Sequence, residues 1–116
     1  MNKLVNSFAF ALKGIRMAVG EQRNLKIHLA MTSLVVVAGI YFAIPPIEWC
    51  IVVFAIGLVW VAELMNTAIE QMVDLVEPKQ NPLAGKVKDI AAGGVLAAAI
   101  CSMVLGLIVF FKYVMP

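Results

Sequence analysis

The feature that most limits how this chain can fold is a join between two unlike stretches. Fourteen residues without a charge, Trp49 to Ala62, run directly into E-L-M-N-T-A-I-E-Q-M-V-D, Glu63 to Asp74, with no glycine or proline at the junction. One helix is expected to carry both. At about 100° per residue, Glu63, Asn66, Glu70 and Asp74 fall within an arc of roughly 80° on that helix. Three carboxyl groups and a carboxamide thus share one face where an apolar segment leaves a membrane. Ionisable groups at that depth are costly, and they face a protein interior or a water-filled site. The face is therefore a candidate functional site rather than a solvated surface.

Composition requires the membrane. Of 116 residues, 63% are hydrophobic and 14% charged, with a mean hydropathy of +0.97, against about half and about a quarter in soluble domains. A soluble core of this length could not enclose so much hydrocarbon. The expectation is one all-α integral membrane domain over residues 1–116, without a second domain or internal repeat. A net charge of +2 gives a nucleic-acid role no electrostatic support. Cys50 and Cys101 lie in apolar spans without metal-ligand spacing and read as buried thiols. Phe8 to Leu12 is too short for the apolar core of a cleavable signal, and Lys13 and Arg16 follow at once.

Residues 3–20 place Leu4, Phe8, Leu12, Ile15 and Val19 on one helical stripe, with Lys3, Asn6, Lys13 and Arg16 elsewhere. This pattern fits an amphipathic helix in the headgroup region or one packed against the bundle, and the two readings are compatible. Gly20 is expected to end it. The polar segment E-Q-R-N-L-K-I-H follows, carrying Glu21, the one acid in the first 47 residues, and His28, read as an interfacial side chain. The first span is expected over 29–46, stopped by Pro45-Pro46, and the second over 48–76, continuing through the acidic face. So short a connection makes the two antiparallel neighbours. A loop is expected over 77–89 and a third span over 90–115, whose A-A-G-G-V-L-A-A-A start favours close helix approach.

Charge asymmetry gives an orientation. Lys3, Lys13, Arg16, Arg23 and Lys26 precede the first span and Lys79, Lys86 and Lys88 occupy the second loop, whereas Lys112 is alone near the C-terminus. The positive-inside rule then places the N-terminus and the 77–89 loop in the cytoplasm, together with every acid except Glu48. A cytoplasmic site has access to ATP.

Two or three carboxylates and an amide are oxygen ligands for a hard cation, and Mg²⁺ is commonly held by one or two carboxylates plus substrate phosphates. Glu70 and Asn66 are candidates on the helix, with Glu21 from the facing segment. Lys88, with Lys86, can offset phosphate charge. Glu63 remains at the embedded end, placed to accept a proton from an alcohol dissolved in lipid. Together these suggest phosphoryl transfer to a lipid hydroxyl. Neither G-x-x-x-x-G-K-[ST] nor G-x-G-x-x-G is present, so no soluble nucleotide-binding fold is implied.

The run E-L-M-N-T-A-I-E-Q-M-V-D followed by N-P-L-A-G-K-V-K-D-I-A-A-G-G-V-L closely resembles the prokaryotic diacylglycerol kinase family, whose Gram-positive-type branch includes undecaprenol kinases. The K-G-I-R segment and the E-x-x-N-L-K-I-H before the first span extend the resemblance over nearly the whole chain. It implies a homotrimer of three-span subunits in the bacterial cytoplasmic membrane, each with an N-terminal amphipathic surface helix, and composite sites between protomers. By position it implies that Glu63 is the catalytic base and that Glu21 and Glu70 are metal ligands that also contact the nucleotide. Asn66 and Asp74 would support the site. Lys79, Gln80, Asn81, Lys88 and Asp89 would border the nucleotide, and Lys13 and Arg16, with Glu63, would meet the lipid. Two positions depart from the family pattern, Asn81 where histidine is frequent and Val87 where alanine is, and both touch nucleotide contacts.

The implied activity is ATP- and Mg²⁺-dependent phosphorylation of undecaprenol or diacylglycerol. The rival class is a small proton-coupled transporter or channel using an intramembrane glutamate. That class explains Glu63 but not the continuation to Asp74 or the Lys88-Asp89 pair. A non-catalytic membrane scaffold would leave the acidic face without a role.

Overall fold

The structure, a computed structural model, describes residues 2–116 and is all-helical: α1 (Asn2–Glu21), α2 (Arg23–Tyr41), α3 (Pro46–Val76) and α4 (Pro82–Val114). The last three are long and apolar enough to cross a membrane, which makes the chain a multi-pass membrane protein. At about 1.5 Å per residue, the 31 residues of α3 reach about 46 Å, well beyond the roughly 30 Å of hydrocarbon they must cross. The join at Ala62–Glu63 is continuous helix.

α3 is the spine. It packs along α4 for most of its length and against the facing side of α2, while α1 touches both α2 and α3. Val52, Ala55, Val59, Glu63 and Thr67 are buried at intervals of three or four residues, the helical stripe that faces neighbours. Ser102 donates to the Ala55 carbonyl oxygen at 2.8 Å, and the Trp60 indole N–H donates to Thr32 Oγ1 at 2.8 Å. Polar contacts between apolar helices fix their register.

Several boundaries differ from the sequence reading, each for a local reason. α1 runs one residue past Gly20, and Gln22 alone, at φ −104° and ψ 121°, breaks it from α2. The polar segment before the first span is therefore the first turns of α2, not a lead-in at 29. α2 stops at Tyr41 rather than at Pro45-Pro46. Ala43 adopts a left-handed φ of 50°, its N–H bonds Ile40 O, and Ile44 N–H reaches back to Gly39 O. This is the Schellman arrangement, usually built with glycine at that position. The third helix of the membrane region starts at Pro82, so the 77–89 loop shrinks to 77–81. Asn81 is its N-cap, with Oδ1 accepting from Leu83 N–H at 2.8 Å, and proline suits the first helical position.

Gly39 permits the tightest approach. A Cβ there would lie 2.6 Å from Trp49 Cη2, so the indole seats directly on the α2 backbone. By contrast, a Cβ at Gly93 or Gly94 would meet nothing within this chain, whereas Ala98, in the same small-residue run, is buried. Cys50 and Cys101 are exposed, a correction to the expectation of burial; on apolar spans, exposure means lipid, which solvates a thiol as an interior would. The stripe of α1 is also uncovered, with Leu4, Phe8 and Leu12 all above 60% exposed, and Ala18 is the one residue the helix buries.

Candidate functional site

The acidic face assembles where α3 emerges beyond α2. Glu63 is buried at 3% exposure, with its Oε1 2.9 Å from His28 Nε2. Its backbone carbonyl accepts from Thr67 Oγ1 at 2.9 Å. One turn on, Asn66 Nδ2 donates to Glu70 Oε1 at 3.1 Å, the i,i+4 spacing that makes side chains neighbours. Asn66 Oδ1 is shielded from solvent and has no hydrogen-bond partner among the described residues. A buried carbonyl oxygen left unmatched is costly, and this one sits beside a carboxylate.

From α1, Glu21 reaches α3 through Gln71, whose Nε2 donates to Glu21 Oε2 at 3.4 Å. Glu21 is thereby carried to the residue next to Glu70. At the far end Asp74 pairs with Lys88 of α4 at 2.5 Å, an exposed pair worth about 0–1 kcal/mol. Lys79 and Gln80 lie exposed in the short loop, and Asp89 is exposed on the second turn of α4. Asn81 is committed to capping α4 through Oδ1, while Nδ2 faces Glu77 at 3.4 Å.

A groove of about 400 Å³ runs between α1 and α3. Gly14, Ile15, Ala18 and Leu64 form its apolar walls, and Glu21 and Gln71 close one end. Thr67 lines it too, and the same hydroxyl bonds the Glu63 carbonyl, so the groove adjoins the acidic face. Lys13 and Arg16 lie outside this lining, both exposed on α1.

Among the described residues, no three His, Cys, Asp or Glu side chains gather closely enough to hold a cation. The donor set at the face is smaller: carboxylate oxygens of Glu70 and Glu21 and the unmatched carbonyl oxygen of Asn66. All are hard oxygen donors, and two carboxylates suffice for Mg²⁺ when a substrate's phosphates complete its shell. The residues present fit that ion.

His28 is the residue that sequence reasoning missed. The sequence suggests an interfacial side chain there; the structure turns its ring onto Glu63, with Nε2 2.9 Å from Oε1. A signal existed: His28 and Glu63 each lie seventeen residues from the nearer proline of Pro45-Pro46. In an antiparallel hairpin that equality places them opposite one another.

The sequence matches the prokaryotic diacylglycerol kinase family over residues 9–110. It is 39% identical over 110 residues to the undecaprenol kinase of Bacillus subtilis, spanning 95% of this chain and 89% of that protein. To the diacylglycerol kinase of Synechocystis it is 38% identical over 104 residues, spanning 89% of this chain and 59% of that longer protein. The diacylglycerol kinase of Escherichia coli K12 is 23% identical over 111 residues, with 96% of this chain and 91% of that protein covered.

Proposed function

The chain belongs to the prokaryotic diacylglycerol kinase family, and on that premise we propose that it transfers the γ-phosphoryl group of ATP to the hydroxyl of a membrane lipid alcohol, with undecaprenol as the acceptor. The observation that carries this reading is the buried Glu63 at the membrane end of the acidic face, with one carboxylate oxygen tied to His28 and the other left without a partner among the described residues. Identity to an undecaprenol kinase over nearly the whole chain supports the acceptor, as does the N-L-K-I-H segment.

In this mechanism the lipid tail lies along the apolar groove between α1 and α3, bringing its hydroxyl to Glu63. Glu63 accepts the hydroxyl proton while the lipid oxygen forms its bond to the γ-phosphorus. The bond from that phosphorus to the bridging oxygen breaks, and ADP leaves. Glu21, Glu70 and Asn66 Oδ1 are the donors that would hold Mg²⁺, whose charge would offset that of the triphosphate. Lys88 exchanges Asp74 for a phosphate oxygen, and Lys79, Gln80 and Asp89 border the nucleotide. Burial of Glu63 keeps water from competing with the lipid for the phosphoryl group. The reaction runs on the cytoplasmic face, where five basic residues precede the first span. Homotrimer assembly covers the open small-residue surface around Gly93 and Gly94 and completes the sites between protomers.

Purified protein in detergent, given radiolabelled ATP and a lipid extract with and without Mg²⁺, tests this directly. A labelled lipid is expected only with Mg²⁺, and Glu63→Gln should lower its formation on the order of 10²–10⁴-fold. No labelled lipid from folded protein overturns the kinase reading. Turnover of purified undecaprenol against diacylglycerol tests the acceptor, and a large preference for diacylglycerol overturns that part alone.

A further inference from the structure

A base that must take a proton from a lipid hydroxyl needs its free oxygen aimed at one place. Glu63 has two chemically equal oxygens on a terminal torsion that is broad and roughly two-fold. Left alone, the carboxylate would sample many orientations. Oε1 is instead held 2.9 Å from His28 Nε2. A carboxylate can only accept, so Nε2 carries the hydrogen and donates it. The helix that carries His28 is anchored on either side of it. Leu25, one turn earlier on α2, is fully buried, and the Trp60–Thr32 hydrogen bond sits one turn deeper on both helices. These contacts fix the α2–α3 register on which the pairing depends.

The exposures of the two side chains differ in the informative direction. Glu63 is 5% exposed and His28 23%, so the carboxylate is the buried partner of the pair and the imidazole the more open one. Glu63 Oε2 receives no hydrogen bond from any described residue. On its own helix, Thr67 engages the Glu63 backbone and not its side chain. His28 is therefore the one described side chain that orients this carboxylate.

Resting on the assignment of Glu63 as base, we propose that His28 is a positioning residue: by donating Nε2–H to Oε1, it presents Oε2 to the acceptor hydroxyl. It touches neither lipid nor nucleotide, and so acts on the rate of the chemical step and not on substrate binding.

The test uses the full chain, purified, with kcat and both KM values measured for His28→Leu, His28→Gln and Glu63→Gln. His28→Leu removes the donor while keeping apolar bulk. It should lower kcat about 10- to 100-fold, the range carried by a hydrogen bond to a charged group, with KM for Mg·ATP within about twofold of the parent. His28→Gln returns a side-chain N–H donor at similar reach and should restore most of that loss. Parent-like kcat in His28→Leu overturns the proposal. So does a His28→Gln enzyme as slow as His28→Leu at unchanged thermal midpoint, because packing and not the donor would then matter. Glu63→Gln separates the two levels: if it keeps its turnover the base assignment falls, whereas if it is inactive and His28→Leu is not, only the role of His28 does.

Discussion

Both ends of α3 hold carboxylates, and they are matched to their surroundings in opposite ways. At the Pro46 end, Glu48 accepts from Lys112 through Oε2 and from Tyr113 Oη through Oε1 at 2.6 Å. Phe42 stacks on the Tyr113 ring with centroids 5.4 Å apart, and Ile44, Val52 and Val109 pack beneath. Every oxygen of that acid is used within the chain. At the other end, Glu63, Glu70 and Glu21 are each met through one oxygen, and Asn66 Oδ1 is met by nothing. A carboxylate whose oxygens are both satisfied fastens α3 to α4. Carboxylates with an oxygen to spare, beside an unmatched buried carbonyl, retain capacity for a ligand the chain does not contain.

That contrast predicts which property each substitution changes. After Glu63→Gln, the largest effect is expected from Glu70→Gln, which should weaken Mg·ATP affinity on the order of 10–100-fold while leaving the thermal midpoint close to the parent. Calorimetry showing unchanged affinity would remove Glu70 from the ligand set. Gly39→Ala should do the reverse, costing about 1–3 kcal/mol of stability through overpacking against Trp49, with parent-like Mg·ATP affinity in the folded fraction. Asn81→Ala should cost about 1 kcal/mol through loss of the α4 cap, and Asn81→Asp should keep that stability; thermal melts of both decide whether capping is its role. Tyr113→Phe removes one of two donors to Glu48 and should lower the thermal midpoint with no change in turnover. An activity loss there without a stability loss would break the contrast. The smallest effect is expected from Asp74→Asn. It frees Lys88 from an exposed pair worth about 0–1 kcal/mol, so KM for ATP should move by less than about fivefold.

The spans and the acidic face could be read from the chain because their signals are local. Uncharged runs mark the membrane, and Glu63, Asn66, Glu70 and Asp74 share a face by helical spacing alone. The helix boundaries were harder. Arg23, Asn24 and Lys26 look like a loop to a hydropathy argument, yet the helix continues because polar side chains at a span's end reach water without breaking it. Ala43 gave no warning of a left-handed turn, since glycine is the residue that usually marks one. Asn81-Pro82 did give a start signal, an N-cap followed by proline, and the lysine-rich stretch beyond it obscured that signal. The His28–Glu63 pair and the Glu48–Lys112–Tyr113 cluster join residues 35, 64 and 65 positions apart. No periodicity within one helix could reveal them.

The surplus length of α3 has a consequence for the host bilayer. Seventeen residues separate Pro46 from Glu63, about 26 Å of helix, and Glu70 stands about 10 Å further out. By length alone, Glu63 therefore falls near the edge of the hydrocarbon and Glu70 beyond it. Acyl chains a few carbons longer would submerge Glu63, and shorter ones would expose it, unless the helix tilts to compensate. If Glu63 is the base proposed above, membrane thickness sets the depth at which an oil-soluble reactant and a water-soluble one can meet, and acyl-chain length becomes a variable of the rate.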